Sequence, residues 1–493
     1  MPNSSPRKVK IVCTLGPSSS TPERISALID AGMDIARLNF SHGTHEFHSR
    51  LIDTVRSCAA AAGKTVAIMQ DLQGPKIRLG KLPPEGVELQ AGQKYCLHPE
   101  GSSPRTLQPG ELALPIMAEI AAAVAADVRP GARILFDDGK VATRALHVDG
   151  AEIHVQVDVG GKLTSHKGMN LPGTPLSIPC LTEKDREDMK FGVSRNVDAI
   201  ALSFVRSAED ILNLKDEIRA LTSETPMVVA KIEREEAVAE MESIIEVSDV
   251  LLVARGDMAV EVGAWRVPSI QKQLIKSCNE LGVPIITATQ MLESMIQSPT
   301  PTRAEASDVA NAVFDGTDCV MLSGETASGE YPVEAVKVMS RIIVESENNK
   351  DFNARRDILP LPGSIVESIE FSASRIANHV GAVAIACLTH SGMAARVLAK
   401  YRPYKPVVAI MDSERQLRRL AFVWGVRGVT IPQIVGTDDL FAMVESTMLQ
   451  YKFAENDDFI VVTAGVPTLR RGTTNMIKVH KIGAQSERTQ RKS

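Results

Sequence analysis

Two neighbouring apolar segments end in charged residues whose types and spacing suit chemistry on an anionic substrate. One segment ends with Lys231 and Glu233, two residues apart, and the next ends with Arg255 and Asp257 at the same spacing. Because residues two apart share one face of a strand, Lys231 should lie beside Glu233 and Arg255 beside Asp257, and we predict that the lysine and the two carboxylates converge. An ammonium group beside two carboxylates suits a divalent metal ion and an oxyanion formed from the substrate. A structural ion pair between Lys231 and Glu233 is the alternative for this stretch alone.

Polar residues recur at the ends of further apolar segments. Wherever one of these ends carries more than one such residue, the spacing is again two. Agreement among so many segments favours one shared site over unrelated structural roles. The residues are Arg37, Asn39 and Ser41; Asp71 and Gln73; Ser203; Thr287 and Thr289; and Ser323 and Glu325.

The residue types indicate which metal and which substrate this site prefers. Glu233 and Asp257 are hard oxygen donors without histidine or thiolate partners, so Mg2+ or Mn2+ fits better than zinc. Gly256 lets a substrate carboxylate approach backbone N–H groups at the start of a helical turn. Arg37, Arg78 and Lys231 supply positive charge for a phosphate. Phosphoryl transfer requires little from a protein beyond such positioning and charge.

The elements that would position these residues alternate between strand and helix patterns. Eight such units predict an α/β fold, a closed (β/α)8 TIM barrel whose reactive groups lie at the carboxyl ends of its strands. Predicted strands are 10–16, 34–40, 65–72, 199–205, 227–233, 250–257, 284–290 and 318–324, and predicted helices include 44–62, 208–219, 234–245, 268–281, 303–312 and 332–346.

Two other regions depart from this alternation. Residues 74–171 form short alternating segments with an Asp138-Gly139 hairpin signal, which predicts an inserted small β-barrel lid. After the polar stretch 347–362 the alternation resumes as a separate open α/β domain. The predicted domains are therefore 1–73 with 172–346 for the barrel, 74–171 for the lid and 347–493 for the C-terminal domain.

Composition restricts the class of protein. The chain has 493 residues, 44% of them hydrophobic and 23% charged, with a net charge of −5, and this balance favours a soluble α/β protein over a nucleic-acid-binding one. No apolar run approaches the roughly 18 residues of a membrane span. The seven cysteines include no CxxC pair, which favours reduced thiols and a cytoplasmic location.

Seven segments of the chain resemble the pyruvate kinase family, in order and from about residue 8 onwards. This resemblance implies a barrel, a β-rich lid, a C-terminal effector domain and a homotetramer. It also implies transfer of the phosphoryl group of phosphoenolpyruvate to ADP, giving pyruvate and ATP in the last step of glycolysis. The segments are 36–43 (ARLNFSHG), 71–78 (DLQGPKIR), 231–233 (KIE), 254–257 (ARGD), 287–295 (TATQMLESM), 301–305 (PTRAE) and 321–326 (MLSGET).

The resemblance also implies a role for each matching residue. Lys231 would neutralise the transferring phosphoryl group and the enolate oxygen, and Glu233 and Asp257 would hold Mg2+. A water held by Thr289 and Ser323 is our preferred proton donor to the enolate, with Lys231 as the alternative. Expected phosphoenolpyruvate ligands are Gly256, Asp257 and Thr289, and expected nucleotide and phosphate ligands are Arg37, Asn39, His42, Arg78 and Lys167.

One departure from the family concerns the monovalent cation. Potassium-dependent members carry Thr, Lys and Glu where this chain has Leu72, Gln73 and Lys76. Asn39, Ser41 and Asp71 remain as cation ligands, but Leu72 removes a hydroxyl and Lys76 brings its own ammonium group. We therefore predict activity without K+. The alternative is that Lys76 merely faces solvent.

A second departure lies in the C-terminal domain. Thr389, Ser391 and Gly392 belong to a segment that resembles the family's sugar-phosphate loop, where hydroxyls and backbone amides hold a phosphate. Met393 and Ala394 replace the Arg and hydroxyl residue of fructose-bisphosphate-activated members, although Arg470 and Arg471 offer charge. We predict a phosphorylated allosteric effector of open identity; the alternative is an ordinary helix cap at Ser391.

Two other functions fit parts of the pattern. A metal-dependent carbon–carbon lyase or aldolase on the same barrel would also use Glu233 and Asp257 to stabilise an enolate, but would not require Lys167 or Arg78. A ligand-sensing relative without catalysis would be expected to lack Lys231, Glu233 or Asp257, and all three are present.

Overall fold

The computed structural model describes residues 7–75, 77–349, 358–433, 436, 439–467 and 474–483. Its first β/α units follow the predicted alternation. Thr21 and Thr44 begin the first two helices, because each hydroxyl accepts a hydrogen bond from a backbone N–H of the first turn. The elements are β1 (Lys10–Leu15), α1 (Pro22–Ala31), β2 (Ile35–Asn39), α2 (His45–Ala61) and β3 (Ala67–Asp71), with a 3-10 turn at Pro17–Ser19.

The lid follows β3 and contains a six-stranded sheet with a two-stranded sheet beside it. Tyr95, Leu97, Ile153 and Val155 alternate with polar residues and pack one face of the larger sheet into an apolar core. The sequence patterns predicted a mostly β lid and did not predict its helix. The elements are β4 (Val87–Leu89), β5 (Lys94–Pro99), β6 (Leu112–Ile116), α3 (Ala118–Asp127), β7 (Arg133–Phe136), β8 (Val141–Asp149), β9 (Glu152–Val159), β10 (Gly161–Leu163) and β11 (Met169–Asn170).

The remaining barrel units come after the lid. A helix that the sequence patterns missed begins at Thr182, whose hydroxyl accepts from the backbone N–H of Asp185. The predicted helix 234–245 is divided into two at Glu240. The elements are α4 (Glu183–Ser194), β12 (Ala199–Leu202), α5 (Ala208–Leu221), β13 (Met227–Ile232), α6 (Glu235–Ala239), α7 (Met241–Val247), β14 (Val250–Ala254), α8 (Arg255–Val262), α9 (Val267–Leu281), β15 (Ile285–Ala288), α10 (Arg303–Asp315), β16 (Cys319–Leu322), α11 (Gly324–Ala327) and α12 (Pro332–Asn348).

Eight parallel strands close the barrel in the order β1-β16-β15-β14-β13-β12-β3-β2. Alternate residues of each strand pack into two separate cores. Met227 and Val229 of β13 face the barrel interior, whereas Val228 and Ile232 face the helices. A polar residue placed two positions beyond an interior one therefore faces the mouth of the barrel, as Lys231 does.

The C-terminal domain is a five-stranded sheet in the order β19-β18-β17-β20-β21, with only β21 antiparallel. The sequence patterns missed β19, where Arg427 and Gly428 interrupt the apolar alternation. None of the helices in the described residues is long and apolar enough to cross a membrane. The elements are α13 (Ile365–His379), β17 (Ala384–Leu388), α14 (Met393–Lys400), β18 (Val407–Met411), α15 (Glu414–Arg419), β19 (Val426–Thr430), α16 (Leu440–Gln450), β20 (Phe459–Ala464) and β21 (Met476–Lys481).

Candidate active site

Lys231 lies at the centre of a buried charged cluster at the barrel mouth. Its ammonium nitrogen is 2.9 Å from Oε1 of Glu233 and 3.4 Å from Oδ1 of Asp71, and it donates to Oγ of Ser203 at 2.7 Å. Burial opposes the charge of Lys231, but the carboxylates of Asp71 and Glu233 outweigh burial and raise its pKa. The ammonium group is therefore a permanent charge at neutral pH.

Asp71 connects this lysine to a second cation. Nε of Arg37 lies 2.7 Å from Oδ2 of Asp71, and the same guanidinium donates to Oγ1 of Thr14 at 2.9 Å. Burial opposes ionisation of Asp71, yet the charges of Lys231 and Arg37 hold its pKa below the ordinary value. Asp71 therefore stays anionic and orients both cations toward the same space.

Glu233 and Asp257 carry the features of a hard-metal site. Oε2 of Glu233 accepts a hydrogen bond from the backbone N–H of Phe204 at 2.9 Å, which orients its carboxylate. Burial raises the pKa of Glu233 to about 7, with Lys231 opposing the shift and Asp257 adding to it. Burial also raises the pKa of Asp257. Two buried carboxylates that disfavour each other's charge are relieved by a divalent cation, so this donor set fits Mg2+ or Mn2+.

Arg255 does not stand beside Asp257 on a strand, contrary to the sequence prediction. The chain turns into α8 at Arg255, so the two-residue spacing no longer places them on one face. The Arg255 guanidinium instead donates to the carbonyls of Ala288 and Thr289 and pairs with Asp308 at 2.8 Å. Arg255 thus holds the end of β15 from the helical side.

Thr289 reaches the mouth because of its backbone conformation. Thr287 points away from the barrel interior and pairs with the hydroxyl of Thr317, contrary to the prediction that it shares a face with Thr289. A φ of 67° at Thr289 turns the chain, and its Oγ1 accepts from the backbone N–H of Gly256 at 2.9 Å. Gly256, Asp257 and Thr289 are therefore brought together.

A cavity of about 170 Å³ separates the barrel mouth from the lid. Asp257 lines it from the barrel and Arg78 from the start of the lid. Asp138 lines it from the lid hairpin, and its charge contributes to the raised pKa of Asp257. The remaining charged residues of its wall are Arg206, Arg234 and Glu261.

The predicted nucleotide ligands occupy two places. Arg78 donates to the carbonyl of His166 at 2.8 Å, and Lys167 pairs with Asp137 at 2.6 Å, so both lie where the lid leaves and rejoins the barrel. Asn39 forms a turn after β2, in which its Oδ1 accepts from the N–H of Ser41 and its carbonyl accepts from the N–H of His42. Arg78 and Lys167 therefore lie at the lid, whereas Asn39 and His42 belong to the barrel.

The residues of the predicted monovalent site are only partly brought together. Asn39 and Asp71 are paired in the β2–β3 register, and Asp71 is committed to Arg37 and Lys231. Leu72 packs in the core between strands and helices, and only its carbonyl turns back, accepting from Oγ of Ser203. The side chain at position 72 therefore does not face the mouth. Lys76 lies outside the described residues.

Two predicted sets of site residues remain, one directly after β16 and one in the loop after β17. Ser323 follows interior residue Met321 by two positions, and its N–H donates to Oε2 of Glu325 at 2.7 Å. In the C-terminal domain, Oγ1 of Thr389 accepts from the N–H of Gly392, and Oγ of Ser391 accepts from the N–H of Met393. This loop precedes α14, whereas Arg470 and Arg471 lie outside the described residues.

The sequence analysis missed several residues of the site. Thr14 holds Arg37, and Arg206, Arg234 and Glu261 line the cavity. Burial raises the pKa of Glu261 to about 7. Glu261 follows Asp257 by four residues, a helical spacing that signals a shared face once α8 is recognised.

Comparisons with known proteins agree with this geometry. Residues 6–336 match the family model for the pyruvate kinase barrel domain, and residues 367–480 match that for the pyruvate kinase alpha/beta domain. The chain is 44% identical over 483 residues to a pyruvate kinase of Geobacillus stearothermophilus, covering 97% of this chain and 80% of that protein. A pyruvate kinase of Staphylococcus aureus strain MRSA252 is 44% identical over 485 residues, with 97% and 81% covered. A crystal structure of a pyruvate kinase from Cryptosporidium parvum superposes with a TM-score of 0.89 at 36% identity and covers 97% of this chain and 96% of that one. The chain therefore belongs to the pyruvate kinase family.

Proposed function

We propose that the barrel mouth transfers the phosphoryl group of phosphoenolpyruvate to ADP, with Lys231 as its central charge. The observation that carries this assignment is the Lys231 ammonium, held between Asp71 and Glu233. A fixed charge about 4 Å from a developing oxyanion contributes roughly 4 kcal/mol at an effective dielectric near 20, about a thousandfold in rate. Arg37 adds a second charge for the phosphoryl group.

Glu233 and Asp257 would hold the Mg2+ or Mn2+ that the family generally needs. When bound, this ion supplies charge that stabilises phosphoryl and enolate oxygens. The chain's contribution is to orient Glu233 through the N–H of Phe204 and to place Asp257 at the first turn of α8.

Gly256, Asp257 and Thr289 would bind the substrate carboxylate. Thr289 accepts from the N–H of Gly256, so its hydroxyl hydrogen is directed elsewhere and suits the substrate or a water. The N–H groups of Asp257 and the following residue belong to the start of α8, where an anion is favoured.

We keep a water held by Thr289 and Ser323 as the proton donor to the enolate. The alternative, Lys231, is a poor donor because its neighbouring carboxylates raise its pKa. Arg78 and Lys167 from the lid, with Asn39 and His42 from the barrel, would bind ADP when the lid approaches.

We also propose the domain boundaries, the cation requirement, the location, the oligomeric state and the effector site of this protein. These proposals are the domain boundaries 1–73 with 172–346, 74–171 and 347–493, activity without K+, a cytoplasmic homotetramer, and a phosphorylated effector at Thr389, Ser391 and Gly392. The seven cysteines are all buried and free, which suits a reducing compartment. Titration calorimetry with sugar phosphates and AMP tests for an effector. If none of these compounds binds, Ser391 would be an ordinary helix cap.

Pyruvate release from phosphoenolpyruvate, with and without ADP and Mg2+, tests the activity directly. We expect release only when both are present. Release from another acid without ADP would favour the carbon–carbon lyase, since that chemistry needs no phosphoryl acceptor.

A further inference from the structure

A second group of metal-ligating side chains lies in the lid, away from the barrel mouth. Cys96 of β5 pairs with His154 of β9 in the antiparallel register, so the two side chains share one face of the sheet. Glu152 stands two residues before His154 and shares that face. One atom from each of these residues lies within 4.8 Å of the others, and all three side chains are buried.

Residues of a strand alternate between the two faces of a sheet, so the face opposite the lid core is expected to be exposed to solvent. The neighbouring residues Tyr95, Leu97 and Ile153 point into the lid core on the opposite face. Cys96 and His154 are nevertheless fully buried, and Glu152 is 6% exposed. Backbone N–H groups of Arg105 and Thr106 reach Glu152, which brings the loop before β6 over it.

The separation of Cys96 from Glu152 matches that between two ligands of one tetrahedral zinc ion. Sγ of Cys96 lies 3.7 Å from Oε2 of Glu152. Zinc bonds of about 2.3 Å to sulfur and about 2.0 Å to oxygen, at tetrahedral angles, place two ligands about 3.5 Å apart. A thiolate, an imidazole and a carboxylate are the donor types that zinc selects.

Glu111 orients the histidine as a ligand requires. Nδ1 of His154 lies 2.9 Å from Oε2 of Glu111 and donates to that carboxylate. The lone pair of Nε2 then faces the cluster, and zinc-bound histidines commonly have such a carboxylate behind them. His147 stacks on the ring at 4.1 Å and limits its rotation.

One contact in the cluster lacks a proton, although Glu152 also accepts from the Cys96 thiol and from the N–H groups of Arg105 and Thr106. Nε2 of His154 lies 3.0 Å from Oγ1 of Thr106, and the same hydroxyl contacts Oε2 of Glu152. The single hydroxyl proton cannot serve both acceptors. Within the described part of the chain, no lysine or arginine side chain pairs with Glu152 or Glu111. A cation bound by the cluster would remove this conflict, as would a second proton on His154.

We propose that Cys96, Glu152 and His154 bind one Zn2+ in the lid, with Glu111 orienting His154. The Thr106 hydroxyl is the nearest candidate for the fourth, oxygen ligand. The ion would connect β5, β9 and the loop before β6, so it would stabilise the lid. The three ligands are buried and none of them lines the cavity at the barrel mouth, so we infer a structural role for the ion.

Zinc content of the full-length protein tests the proposal. The protein is incubated with zinc chloride in excess Mg2+, which occupies the hard-oxygen site at the barrel mouth, and is then gel-filtered and measured by plasma mass spectrometry. We expect one zinc per chain in the parent, loss in Cys96→Ser and His154→Asn, and retention in the control Cys58→Ser. Absence of stoichiometric zinc from the parent would overturn the site.

Cobalt(II) supplies a second readout that does not depend on activity. Thiolate-to-cobalt charge-transfer absorption should appear in the parent and in Cys180→Ser, which removes the thiol that lines the barrel cavity. It should disappear in Cys96→Ser. Glu111→Gln keeps all three ligands and should weaken binding about 10- to 100-fold, which covers the case that Cys96→Ser fails to fold. Unchanged affinity in Glu111→Gln together with unchanged absorption in Cys96→Ser would exclude the proposal.

Discussion

Oε1 of Glu233 lies 2.9 Å from the ammonium nitrogen of Lys231. Lys231 belongs to β13, and Glu233 is the first residue after that strand. This pair joins the carboxylate that we propose to bind the metal ion to the charge that we propose to face the phosphoryl group. Because Asp71 also contacts Lys231, removing the ammonium leaves two buried carboxylates without their shared cation.

Lys231→Met should reduce kcat for pyruvate formation by about 10²- to 10³-fold, the usual effect of removing one charge-stabilising donor. It should also lower the free energy of unfolding by roughly 3–5 kcal/mol, because the carboxylates remain buried. A coupled pyruvate assay and urea unfolding measure both. The control Lys276→Met changes an exposed lysine of α9 and should alter neither. Full activity in Lys231→Met would remove this residue from the mechanism.

Metal binding should depend on pH through Glu233. Burial raises the pKa of Glu233 to about 7, so below that pH the carboxyl is protonated and a cation must displace the proton. We expect the affinity for Mn2+ at pH 6 to be below that at pH 8, measured by calorimetry. Glu233→Gln should bind weakly with less dependence on pH. Equal affinity at both pH values would contradict the assignment.

Glu370 provides a pH effect unrelated to catalysis. Neither of its buried carboxylate oxygens has a hydrogen-bond partner among the described residues, and burial raises its pKa to about 8 despite the nearby Thr463 hydroxyl. The folded state then holds this proton more tightly than the unfolded state, so stability should fall as pH rises from the unfolded value to about 8.

Glu370→Gln should remove this loss, and the variant should be more stable than the parent above pH 8. Thermal unfolding between pH 6 and 9 measures the difference. The matched control Glu246→Gln, on the exposed face of α7, should stay within about 0.5 kcal/mol of the parent. Parallel pH curves for the parent and Glu370→Gln would show that Glu370 does not titrate in this range.

Arg255 should affect substrate binding without touching the substrate. The Arg255 guanidinium donates to the carbonyls of Ala288 and Thr289, and these hydrogen bonds hold Thr289 in its left-handed conformation. Arg255→Met removes them. We expect kcat/KM for phosphoenolpyruvate to fall by on the order of 10- to 100-fold. Stability should fall by about 2–3 kcal/mol. Arg266→Met, which loses an exposed pair with Glu235, is the control; identical kinetics in both variants would exclude this positioning role.

We expect the protein to be active without K+, because Lys76 supplies an ammonium group in place of the monovalent cation. With tetramethylammonium as the only monovalent cation, the parent should be fully active, and Lys76→Glu should become dependent on KCl because the chain no longer supplies its own ammonium group. Initial rates with and without KCl measure this. Many-fold activation of the parent by KCl would refute the prediction.

The sequence by itself determined the barrel and the residues that face its mouth where the strand alternation is unbroken. In β13, Met227 and Val229 alternate with Val228 and Ala230, and this local period of two places Lys231 inside without any tertiary information. The same alternation along β3 places Asp71, which follows Ala67 and Met69. Such assignments depend only on neighbouring residues.

Only the tertiary structure decided the partners of these residues and the places where the alternation ends. Arg255 begins a helix and Thr289 adopts a positive φ, so spacing by two misplaced Arg255 and Thr287. The ion pairs of Asp71, and the closeness of Asp138 to Asp257, join segments far apart in the chain. Contacts of this kind depend on strand register and lid packing, which no local pattern encodes.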